Sequence, residues 1–241
     1  MTNIVAPCPF DACDGSGFVI DEDANMSTDC RCRVQRISRA RARVMGGVIP
    51  RRYRGCGFDR EPVPSIAPQI VATVRAFTTS ISENLDAGRG LWIYGTVGTG
   101  KTTLAMIVSR LTMEAGHSVA VYSLPKLLDQ IRSTYDDDTE VSFAVLADRL
   151  TSVDLLHIDD VGAERATPWV LEQLYTIVNS RYEAERSVVI TTNLERDDLA
   201  AQIGERVVSR LEEMCEILPL FGTDARRQHV TTTPTGLRAV E

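Results

Sequence analysis

The residues with the most chemistry in the shortest span are Gly95-Thr96-Val97-Gly98-Thr99-Gly100-Lys101-Thr102-Thr103. Gly-x4-Gly-Lys-Thr is the spacing of a phosphate-binding loop. Its glycines let backbone N–H groups close on phosphate oxygens with no Cβ in the way. A helix opening near Lys101 turns its positive dipole end toward the same anion. Lys101 is expected to reach the β- and γ-phosphates of ATP, and the Thr102 hydroxyl to bind Mg²⁺. The competing reading is a glycine-rich turn that binds nothing. Against it stand the apolar strand Leu91-Trp92-Ile93-Tyr94 before the loop and the apolar-rich Leu104-Ala105-Met106-Ile107-Val108 after it.

A second pair of groups ends the run Val153-Asp154-Leu155-Leu156-His157-Ile158-Asp159-Asp160. In a protein with a phosphate loop this is the Walker B place. Asp159 is expected to hold Mg²⁺ through water, and Asp160 to orient or deprotonate the attacking water. Two loop or N-cap aspartates are the bland alternative. His157 lies inside the apolar run and reads as a core histidine. Val188-Val189-Ile190-Thr191-Thr192-Asn193 is another buried strand. It ends in an amide at the edge where open α/β sheets place ligands, so Asn193 is a candidate for the γ-phosphate or the nucleophilic water. In Gly204-Glu205-Arg206-Val207-Val208-Ser209-Arg210-Leu211 two arginines fall one helical turn apart on one face.

Four of the six cysteines, Cys8, Cys13, Cys30 and Cys32, crowd the first 32 residues with the spacing C-x4-C-x16-C-x-C. Two close pairs around a short insert suit a tetrahedral thiolate site for Zn²⁺, and a segment too short to bury a core would take its folding energy from the metal. Two disulfides, a redox pair or unliganded thiols are the alternatives. Cys56 and Cys215 have no near partner and read as small buried or half-buried residues.

The elements that must position these groups alternate. Strands near 91–94, 118–122, 153–159, 188–193 and 216–220 are separated by helical stretches, which predicts a parallel sheet covered on both faces. Ile66, Ile70, Val74, Phe77 and Ile81 recur at helical spacing and predict one helix ahead of the phosphate loop. Helices are also predicted over Leu124–Ser133, Val141–Leu150 and from Thr167-Pro168 to about Glu185. Ile49 to Pro68 reads as a connector broken by prolines. Arg33 to Met45 reads as a basic helix that Gly46-Gly47 ends, either solvated and packed on the next domain or touching DNA or a partner.

Length and composition bound the answer. The 241 residues, 44 % apolar, suffice for one α/β domain and a small appendage. The net charge of −7 is uneven: residues 31–60 hold ten arginines and one acid, Asp59, leaving about −16 for the remainder. The basic stretch asks for an electrostatic partner, whether nucleic acid, an acidic protein surface or the chain's own acidic body. The overall acidity argues against a protein that coats DNA on all sides. There is no run of membrane-span length and no secretory signal pattern, so a cytoplasmic protein is expected.

Taken together, Gly95-Thr-Val-Gly-Thr-Gly-Lys-Thr, Leu155 to Glu164, Ser180-Arg-Tyr182, Thr191-Thr-Asn193, Gly204-Glu-Arg206…Ser209-Arg-Leu211 and Phe221-Gly-Thr-Asp-Ala-Arg226 stand in the order that resembles the DnaC/DnaI helicase loaders, in the initiator and loader branch of the AAA+ ATPases. The resemblance covers about residues 48–227; the cysteine-rich start also resembles, less specifically, the zinc-bearing leader of some loaders. It implies an AAA+ core with a five-stranded parallel sheet at 47–227, a zinc-binding segment and Arg-rich helix at 1–46 and a tail at 228–241; that no C-terminal helical lid is expected after the last strand departs from the wider AAA+ pattern and fits the short loaders. It implies that Asn193 is sensor 1, that Arg206 is the arginine finger acting on a neighbouring subunit's γ-phosphate with Arg210 as the second arginine of that motif, and that Arg226 is sensor-2-like. It places Lys126 and Arg132 on the element that meets single-stranded DNA.

The implied activity is a slow ATPase, because Asp160 stands where many relatives have the longer glutamate. The implied partners are a replicative hexameric helicase, single-stranded DNA and further copies of the chain. Two other readings stay open: an IstB-like transposition helper, which shares the core motifs, and a nucleotide-dependent adaptor with negligible hydrolysis.

Overall fold

The computed structural model describes residues 8, 10–21, 26–30, 32–33, 49–135, 142–162 and 167–222. Most of the Arg-rich stretch after Arg33, the acidic loop at 136–140, Glu164, Arg226 and the tail lie outside the described residues.

Five strands build the main sheet: β3 (Gly90–Tyr94), β4 (Val119–Ser123), β5 (Leu155–Asp159), β6 (Ser187–Thr192) and β7 (Cys215–Pro219). All pair in parallel, in the order β4-β5-β6-β3-β7. Parallel neighbours need crossover connections, and helices supply them. On one face lie α1 (Pro68–Thr79), α2 (Ile81–Asp86) and α3 (Lys101–Glu114). On the other lie α4 (Leu124–Ser133), α5 (Phe143–Ser152), α6 (Pro168–Glu183), α7 (Arg196–Ile203) and α8 (Glu205–Met214).

Both faces of each inner strand are therefore apolar. Leu91, Ile93, Leu155 and Val189 pack with α1–α3, while Trp92, Leu156, Ile158, Val188 and Ile190 pack with the other layer. A separate antiparallel hairpin, β1 (Phe18–Asp21) with β2 (Met26–Asp29), lies between the two cysteine pairs, with Cys8 and Cys13 before it and Cys30 and Cys32 after it.

The strand and helix expectations hold within a few residues, with two differences. The single helix expected from Ile66 to Ile81 is two: the chain leaves helical geometry at Ser80, φ −101° and ψ 37°. Ile66 lies ahead of α1 and Ile81 opens α2, yet both are buried, so the apolar spacing survives the break. Helix α7 went unread because Arg196–Ile203 holds only two large apolar residues, Leu199 and Ile203, too few to show a period.

The strand order positions the site. β6 lies between β3, which runs into the glycine loop, and β5, which ends in the two aspartates. The carboxyl ends of three adjacent strands thus meet at one edge, where the order reverses around β3.

Candidate nucleotide site

The glycine loop is fixed by contacts its sequence does not show. At Gly95 φ is +135°, and a Cβ there would lie 2.1 Å from the Leu220 carbonyl oxygen, so only glycine fits. The Thr96 hydroxyl donates to the Gly222 carbonyl (3.0 Å) and accepts the Gly222 N–H (3.2 Å), clasping the loop to the chain beyond β7. From inside, Thr99 Oγ1 donates to the Thr96 carbonyl at 2.9 Å. Lys101, buried at the start of α3, directs Nζ to the carbonyls of Gly95 (2.8 Å) and Thr96 (2.6 Å). Val97 is exposed at the loop tip.

Across the edge, Thr102 Oγ1 donates to Asp159 Oδ1 at 2.9 Å, and Thr191 Oγ1 donates to the same oxygen at 2.6 Å. A hydroxyl beside a carboxylate is the hard-oxygen donor set that Mg²⁺ takes, so these residues fit that ion. Asp160 has φ +60°, a conformation aspartate tolerates better than most L residues. Its carboxylate accepts from Asn193 Nδ2 at 3.0 Å. Asp159, Asp160, Asn193, Lys101 and Thr102 line one cleft of about 660 Å³.

The opposite wall of that cleft is the connector. Arg52, Tyr53, Cys56, Glu61, Pro62 and Ser65 face the loop across it. Sequence reading missed them because two short 3₁₀ turns, Arg51–Tyr53 and Val63–Ser65, carry no periodic signal. A larger depression of about 780 Å³ lies at the opposite end of the sheet, by Phe77, Asn84, Arg89 and Met214. Its lining includes Glu83, Glu213 and Glu216 but no phosphate-binding glycine loop, so the phosphate chemistry belongs to the smaller cleft.

His157 is fully buried, with Nδ1 2.9 Å from Ser109 Oγ. Burial lowers its pKa to about 4 against the pull of the Asp159 charge, so the imidazole is neutral. It is a core histidine, as the sequence suggests.

The two arginines of α8 part company. Arg206 is exposed, lies off the cleft, and makes no hydrogen bond or ion pair among the described residues. Arg210 is half-buried: its guanidinium lies 4.2 Å over the Tyr182 ring, with Nε 3.4 Å from Asn179 Oδ1 and a 3.6 Å contact to Glu213. Arg210 is thus engaged by its own chain.

In the leader, the Sγ atoms of Cys8, Cys13, Cys30 and Cys32 lie within 4.8 Å of one another. Cys8 and Cys30 are 3.8 Å apart, and Cys13 and Cys32 3.5 Å. A tetrahedron of thiolates about 2.3 Å from Zn²⁺ has edges of about 3.8 Å, so the four sulfurs fit that ion. No pair is at disulfide distance, and none of the four is disulfide-bonded. Burial pushes the Cys8 thiol up, but hydrogen bonds from the backbone of Phe10, Ala12 and Cys13 bring it down to about 6. Burial and the neighbouring thiols push Cys32 up to about 12.

Comparison with known proteins agrees with this geometry. The profile of the IstB-like ATP binding protein family matches residues 58–233. The replicative helicase loader DnaC of Buchnera aphidicola subsp. Acyrthosiphon pisum is 25 % identical over 180 residues, 74 % of this chain and 72 % of that one. The uncharacterized protein YdaV of Escherichia coli K12 is 31 % identical over 160 residues, 66 % of this chain and 62 % of that one. Among solved structures, the crystal structure of the DnaC helicase loader superposes with a TM-score of 0.60 at 26 % identity, over 71 % of this chain and 99 % of that one. The replication initiator DnaA bound to AMPPCP and single-stranded DNA shares the fold, with a TM-score of 0.58 at 20 % identity over 71 % of this chain and 50 % of that one.

Proposed function

The chain belongs to the IstB-like ATP-binding protein family, and from that membership we propose that it is an ATPase that places a replicative hexameric helicase on single-stranded DNA. The observation that carries the reading is the likeness to the crystal structure of the DnaC helicase loader, whose solved chain is covered to 99 % by 71 % of this one. In this reading residues 1–46 are a zinc-held partner module, 47–227 the AAA+ engine and 228–241 a tail.

Each role follows from a side chain. The loop amides from Gly95 to Thr103 and Lys101 Nζ would hold the phosphates, Lys101 leaving the carbonyls of Gly95 and Thr96 for them. Thr102 and Asp159 would hold Mg²⁺, whose bound charge offsets that of the phosphates. Asp160, aimed by Asn193, would take the proton of the attacking water. Arg206, exposed and off its own cleft, is free to enter a neighbour's, which makes turnover depend on assembly. Arg226 is assigned to the same nucleotide by its motif alone.

Support for single-stranded DNA comes from the outer end of α4. There the Arg132 guanidinium lies 5.1 Å over the Trp169 ring, and exposed Tyr135 stacks on Phe143. Aromatic faces beside cations are what unpaired bases stack on, and exposed Lys126 adds phosphate-binding charge.

The family match also favours a second reading, an IstB-like transposition helper that remodels DNA for a transposase. The two separate on a closed single-stranded DNA circle, which a ring cannot thread. With ATP, the chain should raise retention of its replicative helicase on the circle, and Arg206→Ala should bind ATP yet fail to do so. Equal retention with and without the chain would remove the loader reading.

A further inference from the structure

Resting on the reading of this cleft as an ATP·Mg²⁺ hydrolysis site, we infer that Thr191 is a positioning residue that sets both aspartates through one hydroxyl. Its hydrogen goes to Asp159 Oδ1 at 2.6 Å, and its oxygen accepts the Asp160 N–H at 2.9 Å. The Thr191 carbonyl accepts the Val161 N–H at 2.8 Å. Three successive residues of the β5 exit are thus tied to one residue of β6.

Those ties matter because of where the chain must go. Asp160 sits at φ +60°, and this turn aims its carboxylate at Asn193. The Asp160 amide held by Thr191 keeps the turn in that form. Thr102 and Thr191 converge on Asp159 Oδ1, which fixes the carboxylate's rotation and leaves Oδ2 with no hydrogen bond among the described residues. Thr191 is only 2 % exposed at the wall of the cleft, so a side chain of the same shape leaves little room for a water in place of its hydroxyl. Side chains alternate along a strand, so position 191 faces the same layer as Val189, where the buried residues are mostly apolar beside Ser109 and His157. A valine would pack as well, and the hydroxyl is the part that packing does not require.

The test compares Thr191→Val, which keeps the branched shape, with Thr191→Ser, which keeps the hydroxyl. Two readouts are taken: affinity for a non-hydrolysable ATP analogue with and without Mg²⁺, and the single-turnover rate. In Thr191→Val, metal-free affinity should stay within about twofold, the gain in affinity from Mg²⁺ should vanish, and the rate should fall about tenfold or more. Thr191→Ser should return both to within about threefold of the parent. Thr191→Ala gives the same readouts if the valine variant unfolds.

A valine variant with the parent's Mg²⁺ gain and rate overturns the inference, and so does a serine variant as impaired as valine. If the parent binds with a Mg²⁺ gain but does not turn over, hydrolysis is withdrawn and the Mg²⁺ gain of the variants decides on Thr191. A parent with no Mg²⁺ gain overturns both.

Discussion

Two residues before Asp159 on β5, the His157 imidazole shows what burial at this edge does to a charge. It is wholly enclosed, and its Nε2 lies 4.0 Å from Asp159 Oδ1 with no hydrogen bond. Burial, the larger effect, holds its pKa at about 4, against 6.5 for the ordinary side chain. Between those values the unfolded chain takes up a proton that the folded chain refuses. Stability is therefore intact above pH 6.5 and declines as pH falls toward 4, by about 1.4 kcal/mol per unit from this group. Urea midpoints at pH 7, 5.5 and 4.5 should fall more steeply for the parent than for His157→Gln. Parallel slopes would contradict a neutral buried imidazole.

Arginine 181 ties elements together instead of serving the site. It is completely buried in α6, and its guanidinium donates to the carbonyls of Leu150, Thr151, Val153, Asp154 and Ser187 at 2.5–3.4 Å. Those carbonyls end α5 and begin β5 and β6, the strands that carry the aspartates and Asn193. Burial lowers its pKa to about 9, so it still carries its charge at neutral pH, matched to the negative end of α5. Arg181→Met should cost about 3 kcal/mol or more, because several buried carbonyls lose their donor. Urea unfolding measures it, and a loss under about 1 kcal/mol would show that the carbonyls find other partners.

At this scale the sequence was legible where a signal is contiguous. The glycine loop, the strand ending in Asp159-Asp160, and Asn193 each read off one short stretch, and the parallel sheet follows from their alternation with helices. Arg181 stood out only within the Ser180-Arg-Tyr182 stretch of the family resemblance, with no role attached, since nothing local marks a cation whose partners lie on three other elements. Thr191 was hidden in an apolar strand, and the connector wall in a segment without period. The Thr96–Gly222 clasp joins residues 126 positions apart. These are tertiary facts, set by which chain ends the strand order brings together.

The whole molecule carries its charge in two parts, an arginine-rich stretch and an acidic body. Of the basic part, residues 32–33 and 49–60 are described: Arg52 lines the nucleotide cleft, and Arg33 pairs with Asp29 and lies 4.1 Å over the Phe18 ring of the hairpin. The hairpin also exposes Val19, Ile20 and Met26, apolar groups beside the four-cysteine cluster. No helix among the described residues is long and apolar enough to cross a membrane. In the proposed reading, a leader with a metal-fitting cluster, apolar exposure and adjoining arginines grips another protein while the ATP-binding core works on nucleic acid.

That division makes one measurement decisive: size-exclusion chromatography with light scattering of the purified chain mixed with the replicative helicase of its own replication system, with and without ATP. The account expects a stoichiometric complex that is lost when residues 1–46 are removed. Separate elution of chain and helicase in both nucleotide states would contradict it, and would direct the search to a transposase on DNA.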